Sequence, residues 1–273
     1  MNEPDIMVYL MTGFLDSGKT QFLTFTLKQD YFQIDGKTLL ILCEEGEEEY
    51  DPMEMLKYGV VIEKVEDQED LTAEWLEEMN RKHEPERVVV EYNGMWKVSD
   101  FENLELPAGW GIEQKITTVD ASAFQTYLTN LKPLFVEMVR GADMVLFNRC
   151  EDIKPLAGYR RSVKVVSPQA EVIFEDEEGE IENIFEDEVP YDLKAPVVEI
   201  AKEDYGIWYV DLMENPDRYK GKVVEYTAKV LKPRTFPAKV FMAGRMAMTC
   251  CADDVSFLGY VCRSAYAPKL KPG

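Results

Sequence analysis

This chain of 273 residues has one histidine, five cysteines and no run of 18 apolar residues. Without such a run, no membrane-spanning helix is expected. Five cysteines, an odd number scattered over this length, make no disulfide framework and point to a reducing, cytoplasmic setting. The lone histidine, His83, stands just before Pro85 and is read as a surface capping residue rather than a ligand or base. The N-terminus, Met1-Asn2-Glu3-Pro4-Asp5, lacks the basic start of a secretion signal. Positive charge is also scarce, with 30 Lys/Arg against 52 Asp/Glu and a net charge of −22. Residues 1–204 hold 46 acidic and 19 basic side chains, whereas residues 205–273 hold 6 and 11. That asymmetry suggests two units, and the acidic majority argues against nucleic acid as a partner.

What is present begins at Gly13-Phe14-Leu15-Asp16-Ser17-Gly18-Lys19-Thr20. An apolar run, Ile6 to Thr12, precedes it and a helix-compatible run, Gln21 to Lys28, follows. Strand, glycine loop and helix are the context in which G-x-x-x-x-G-K-[ST] cradles phosphates. The glycines let successive N–H groups turn inward, and the helix N-terminus adds its positive dipole end. Lys19 is expected to neutralise the β and γ phosphates, and Thr20 to offer its hydroxyl to Mg²⁺. Gly13, Asp16, Ser17 and Gly18 complete the loop.

Strand and helix signals alternate through the first two-thirds, predicting an α/β fold with a mostly parallel sheet. Strands are expected at 38–43, 87–91, 116–120 and 144–148, and helices at 70–82 and on both sides of Pro133. Glu91 and Gly94 then fall just past a buried strand. There a carboxylate can order the Mg²⁺ water shell, and a backbone N–H can sense the γ-phosphate. Lys19 and Glu91 are the expected catalytic residues. Asn148, Arg149 and Glu151 follow another strand. Asn148 suits the carbonyl and N7 side of guanine, and a carboxylate at Glu151 suits its N1 and N2 hydrogens, which favours GTP over ATP.

With these motifs in order, residues 6 to about 185 resemble the GTPase domain of the cobalamin-synthesis W and urease/hydrogenase accessory group. The matching segments are 12–20, Cys43-Glu44-Glu45-Gly46-Glu47 through Asp51, and Glu91-Tyr92-Asn93-Gly94. Further matches are Thr118-Val119-Asp120-Ala121 with Phe124, Ala142-Asp143 into Asn148-Arg149-Cys150-Glu151, and Ser167-Pro168-Gln169-Ala170. The resemblance implies a GTP/GDP-binding, hydrolytic, metallochaperone-like protein, and such GTPases often pair as homodimers. The family's Cys-x-Cys-Cys motif is missing, since residues 58–63 hold neither cysteine nor histidine. Arg149 and Glu151 also replace the usual Lys and Asp of the guanine motif.

The expected domains are a P-loop GTPase unit at 1–188, a linker at 189–204, and a small all-β, OB-like barrel at 205–273. The barrel strands are expected at 222–230, 238–242, 246–250 and 257–262. Its segment from Gly244 to Asp254, with Asn215-Pro216 and Tyr219-Lys220-Gly221 upstream, resembles the C-terminal domain of an uncharacterised bacterial permease-associated family. Cys250, Cys251 and Cys262 with Asp253 or Asp254 have the composition of a tetrahedral site for Zn²⁺ or another transition metal. Reduced cysteines packed in a barrel, or a redox thiol, are the alternatives. The expected function is therefore a GTPase that couples hydrolysis to a metal cargo or target protein. The alternative is a nucleotide-sensing adaptor of a membrane transporter with little hydrolysis.

Overall fold

The computed structural model describes residues 4–153, 156–181, 189–248 and 255–272, which fall into two units divided at 184/185. In the first unit the sheet is built of seven parallel strands, those at 38–42 and 87–91 being buried along their whole length, as covered faces require. These are β1 (Ile6–Thr12), β2 (Thr38–Leu42), β3 (Val60–Lys64), β4 (Arg87–Glu91), β5 (Trp110–Asp120), β6 (Met144–Asn148) and β7 (Glu171–Asp176). A short β8 (Gly179–Glu180) turns back antiparallel on β7. The strand order is β3-β2-β4-β1-β5-β6-β7-β8, parallel from β3 to β7.

The chain leaves β1 toward one edge of the sheet and returns past it toward the other. That reversal opens a crevice at the carboxyl ends of β1 and its neighbours, the usual ligand position in open α/β sheets. The residues singled out above all follow these ends: 13–20 after β1, 43–51 after β2, 91–94 after β4 and 148–151 after β6.

The helices are α1 (Lys19–Leu27), α2 (Pro52–Leu56), α3 (Ala73–His83), α4 (Val98–Glu102), α5 (Phe124–Asn130), α6 (Lys132–Val139) and α7 (Leu156–Val166). Thr72 caps α3 by accepting from the Trp75 N–H, and Leu76 and Met79 are its buried stripe. Arg81, Lys82 and His83 complement the dipole at its C-terminal end. His83 pairs there with Glu63 at 2.6 Å, on a terminal turn as expected. Pro133 falls in the first turn of α6, where its missing N–H costs nothing, and the chain breaks between α5 and α6. An aromatic cluster of Phe124, Phe135, Phe147, Tyr159 and Phe174 packs β6 and β7 against α5–α7.

The second unit holds β9 (Val197–Glu199), α8 (Tyr205–Glu214), β10 (Val223–Glu225), β11 (Lys229–Leu231), β12 (Val240–Met248) and β13 (Val255–Arg263). β9 and β10 form a parallel pair, so residues 189–204 carry a strand of this unit. β11, β12 and β13 form an antiparallel sheet. The two strands expected at 238–242 and 246–250 are one strand through residue 248. Gly244 continues it because it faces Gly259, and a Cβ there would stand 2.1 Å from the Leu258 carbonyl oxygen. Tyr205, Trp208 and Tyr209 of α8 pack against Tyr226 and Tyr260, and the Tyr205 hydroxyl donates to the Leu258 carbonyl at 3.0 Å. Among the described residues no helix is long and apolar enough to cross a membrane.

Candidate nucleotide site

The loop after β1 is held open by its own backbone. Gly13 (φ 144°) and Gly18 (φ 92°) adopt conformations that a side chain resists, and Asp16 joins them at φ 57°. A Cβ on Gly13 would meet Ser17 Oγ at 2.5 Å and the Thr118 carbonyl at 2.6 Å. Ser17 Oγ is 2.9 Å from Thr118 Oγ1, which ties the loop to β5. No side chain caps α1 and no acid occupies its first turn, so its orphan amides and positive end face the crevice.

Lys19 is buried, and its ammonium donates to the carbonyls of Gly13 (2.8 Å) and Phe14 (2.9 Å) and to Glu44 Oε2 (2.5 Å). Glu44 Oε1 accepts from the Gly94 N–H at 3.3 Å. Gly94 itself lies against the loop, because a Cβ there would stand 2.4 Å from the Gly13 carbonyl oxygen. Thr20 Oγ1 donates to Glu91 Oε1 at 2.8 Å, and the Tyr50 hydroxyl donates to Glu91 Oε2 at 2.5 Å. Lys19, Thr20, Glu44 and Glu91 line a cleft with Leu15, Asp16, Gly18, Gln21, Gly46, Glu47, Glu48 and Arg149.

Burial pushes the Glu91 carboxyl above its ordinary range, against the hydrogen bonds from Tyr50 and Thr20 and the charge of Lys19. A carboxyl raised in the fold contributes stability below its unfolded value and loses it as pH rises through the folded value. Glu91→Gln is therefore expected to raise the melting temperature at pH 7, where each 1 kcal/mol is worth about 2–4 °C in a domain this size. The gain should shrink as the pH is lowered into the carboxylate range. A lower melting temperature at pH 7 would show that the two hydroxyl bonds outweigh the burial.

At the other end of the loop, Asn148 Nδ2 donates to the Ser17 carbonyl at 2.8 Å, while its Oδ1 is buried without a partner among the described residues. One Nδ2 hydrogen thus tethers the loop to the end of β6. Arg149 (φ 55°) donates to the Asp16 carbonyl (3.0 Å) and to Asp120 Oδ2 (2.5 Å). Burial opposes ionisation of Asp120, but hydrogen bonds from Ser122 and Arg149 hold its carboxyl below the usual range. Glu151 is exposed on the following turn.

Tyr50 and the Asp120–Arg149 pair were not singled out from the sequence. Tyr50 carries no local signal, whereas Asp120 stands in the Thr118-Val119-Asp120-Ala121 match. The Cys43 thiol is buried, and burial with the nearby Glu91 and Glu44 charges pushes its pKa far up, against a thiolate ligand. Cys262 is half-buried on β13, with Sγ 3.5 Å from the Tyr260 carbonyl, and burial raises its pKa too. Cys250, Cys251, Asp253 and Asp254 lie outside the described residues. Among the described residues no cluster of three or more His, Cys, Asp or Glu could hold a metal.

A glycine loop at a sheet switch point, a buried lysine inside it, and a threonine–glutamate pair beside it define a P-loop nucleotide-binding protein. Residues 7–174 match the nucleotide-binding domain of the CobW/HypB/UreG family, and residues 177–273 match the DUF1980 C-terminal domain. The chain belongs to the CobW/HypB/UreG family, with a P-loop GTPase fold followed by a C-terminal antiparallel β region. Solved structures similar to it include the hydrogenase maturation factor HypB from Archaeoglobus fulgidus, at 17% identity and TM-score 0.44. That match covers 63% of this chain and 82% of HypB. Another is the Zn(II)-bound YjiA GTPase from E. coli, at 19% identity and TM-score 0.49, covering 96% of this chain and 90% of YjiA. No curated protein matches the chain.

Proposed function

We propose that the protein binds GTP with Mg²⁺, hydrolyses it slowly, and uses the nucleotide state to handle a metal cargo or a target protein in the cytoplasm. One observation carries the reading: Lys19 and the Thr20–Glu91 pair line one cleft at the mouth of the loop, and the Gly94 N–H is joined to it through Glu44. In this reading the amides of residues 13–18 and Lys19 hold the phosphates, and Gly94 senses the terminal one. Thr20 and Glu91 supply the hard oxygen donors that Mg²⁺ prefers, Thr20 directly and Glu91 through ordered water. Bound there, Mg²⁺ would offset charge developing on the transferred phosphoryl group. Asn148, Arg149 and Glu151 face the base. Metal as cargo is supported by the family. Thiolate ligands for such a cargo would come from Cys262 together with Cys250 and Cys251.

The test is calorimetry with GTP, GDP and ATP in Mg²⁺, with and without Zn²⁺, followed by single-turnover hydrolysis. GTP and GDP should bind at least about tenfold more tightly than ATP, a difference of roughly 1.4 kcal/mol. Equal or tighter ATP binding would remove the guanine assignment. Tight GTP binding with no turnover would favour the adaptor.

A further inference from the structure

The Glu44 carboxylate bridges the two groups that the proposed site would use on a terminal phosphate. One oxygen is 2.5 Å from Lys19 Nζ and the other 3.3 Å from the Gly94 nitrogen. The lysine serves any phosphate in the loop. The Gly94 N–H belongs to the turn after β4 and meets only an anion that reaches past the loop toward it. A carboxylate seated on both has the charge and acceptor geometry of a γ-phosphoryl edge. Both side chains are nearly enclosed, with side-chain exposures of 3% for Lys19 and 9% for Glu44.

We propose that Glu44 is a built-in competitor of the terminal phosphate, so that a nucleoside triphosphate must displace it and thereby moves the acidic segment 44–50. The inference rests on the nucleotide reading of the loop. The segment is fastened at four points, three of them beside the loop: Glu44 on Lys19 and Gly94, Glu47 N–H on Asp16 Oδ1 (3.4 Å), Tyr50 on Glu91, and, away from the loop, Glu45 on Lys64 of β3 (2.7 Å). Residues 45–49 between them are exposed, so displacement of Glu44 changes how a run of four carboxylates is presented. A diphosphate lacks the group that contests Gly94 and leaves Glu44 more nearly in place. The terminal phosphate is thus converted into a rearrangement of charged surface, which a cationic cargo or basic partner would read.

Competition of this kind multiplies the intrinsic affinity by the fraction of molecules in which the site is open. If Glu44 is engaged about nine-tenths of the time, its removal raises triphosphate affinity about tenfold. The test is calorimetry on the full chain in Mg²⁺, with GTPγS and with GDP, for the wild type, Glu44→Ala, Glu44→Gln and Lys19→Ala. Glu44→Ala should bind GTPγS about tenfold more tightly, with GDP changing by less than about threefold. Glu44→Gln keeps an acceptor for Gly94 without the charge and should lie between, so the result does not depend on the alanine variant alone. GTPγS affinity unchanged or weakened in both Glu44 variants, while Lys19→Ala weakens it about 10²-fold or more, overturns the competitor and leaves the nucleotide site standing. A wild type that binds neither nucleotide, or Lys19→Ala binding as wild type does, overturns both.

Discussion

Lys19→Ala is expected to weaken GTP binding by about 10²–10³-fold, and GDP binding by less, measured calorimetrically. Each charge-assisted hydrogen bond contributes about 1.5–3 kcal/mol, and the proposed phosphate site asks two of this ammonium. Two bonds at the lower end give about 3–4 kcal/mol, which is the stated range. The same substitution acts on the fold, because it strips Glu44 of its cation and leaves only the Gly94 N–H on that carboxylate. Removing one partner of a buried pair costs about 3–5 kcal/mol, and a pair at the mouth of a cleft belongs at the low end. Chemical denaturation should therefore show a loss of about 3 kcal/mol. The double variant Lys19→Ala/Glu44→Ala should recover part of that stability without recovering affinity, since the two side chains are directly coupled. Full binding retained in Lys19→Ala would dismiss the loop as a phosphate site.

The parts of this site legible in the sequence are those whose logic is local. The loop announces itself because a buried strand, two glycines and a Lys-Thr pair occupy consecutive positions. Glu91 and Gly94 are legible one step further, since polar residues just past a buried apolar strand must lie at the edge of the sheet. Glu44 was not separable in this way from Glu45, Glu47, Glu48 and Glu49, because an acidic run has no period that marks one member. Pairing of the strands selects it. The β2–β4 ladder continues through the Cys43 N–H on the Glu91 carbonyl at 2.9 Å, so Glu44 is the first side chain past the sheet and falls on Lys19. Tyr50 reaches Glu91 across 41 residues, a contact that only the fold makes.

The second unit shows the same boundary. Helix α8 is apolar or aromatic on most sides, at Tyr205, Ile207, Trp208, Tyr209, Val210 and Leu212, so no amphipathic stripe declares it. Gly244 reads as a break when taken alone. Opposite Gly259 it is a close approach of two backbones inside one sheet.

Gly94→Ala should separate triphosphate from diphosphate binding more cleanly than any change in the loop itself. The added methyl would stand 2.4 Å from the Gly13 carbonyl oxygen and 2.7 Å from Phe14 Cα. Both are backbone atoms of a loop already fixed by Ser17–Thr118 and Asn148–Ser17 bonds, so the turn at 93–96 must move instead. Overpacking of this kind costs about 1–3 kcal/mol of stability. Movement also withdraws the N–H from the proposed position of the terminal phosphate, and loss of such a charge-assisted bond is worth about 10–100-fold in affinity. GTPγS binding should therefore fall by that factor while GDP binding changes by less than about threefold, because Lys19 and the loop amides are untouched. Gly206→Ala is the matched control: nothing lies within 4 Å of its Cβ, it sits in α8, and the exchange should be neutral or stabilising by up to about 1 kcal/mol. Equal loss of both nucleotides in Gly94→Ala would mean that the methyl had distorted the loop and not the turn. Unchanged GTPγS binding would take the terminal-phosphate contact away from Gly94 altogether.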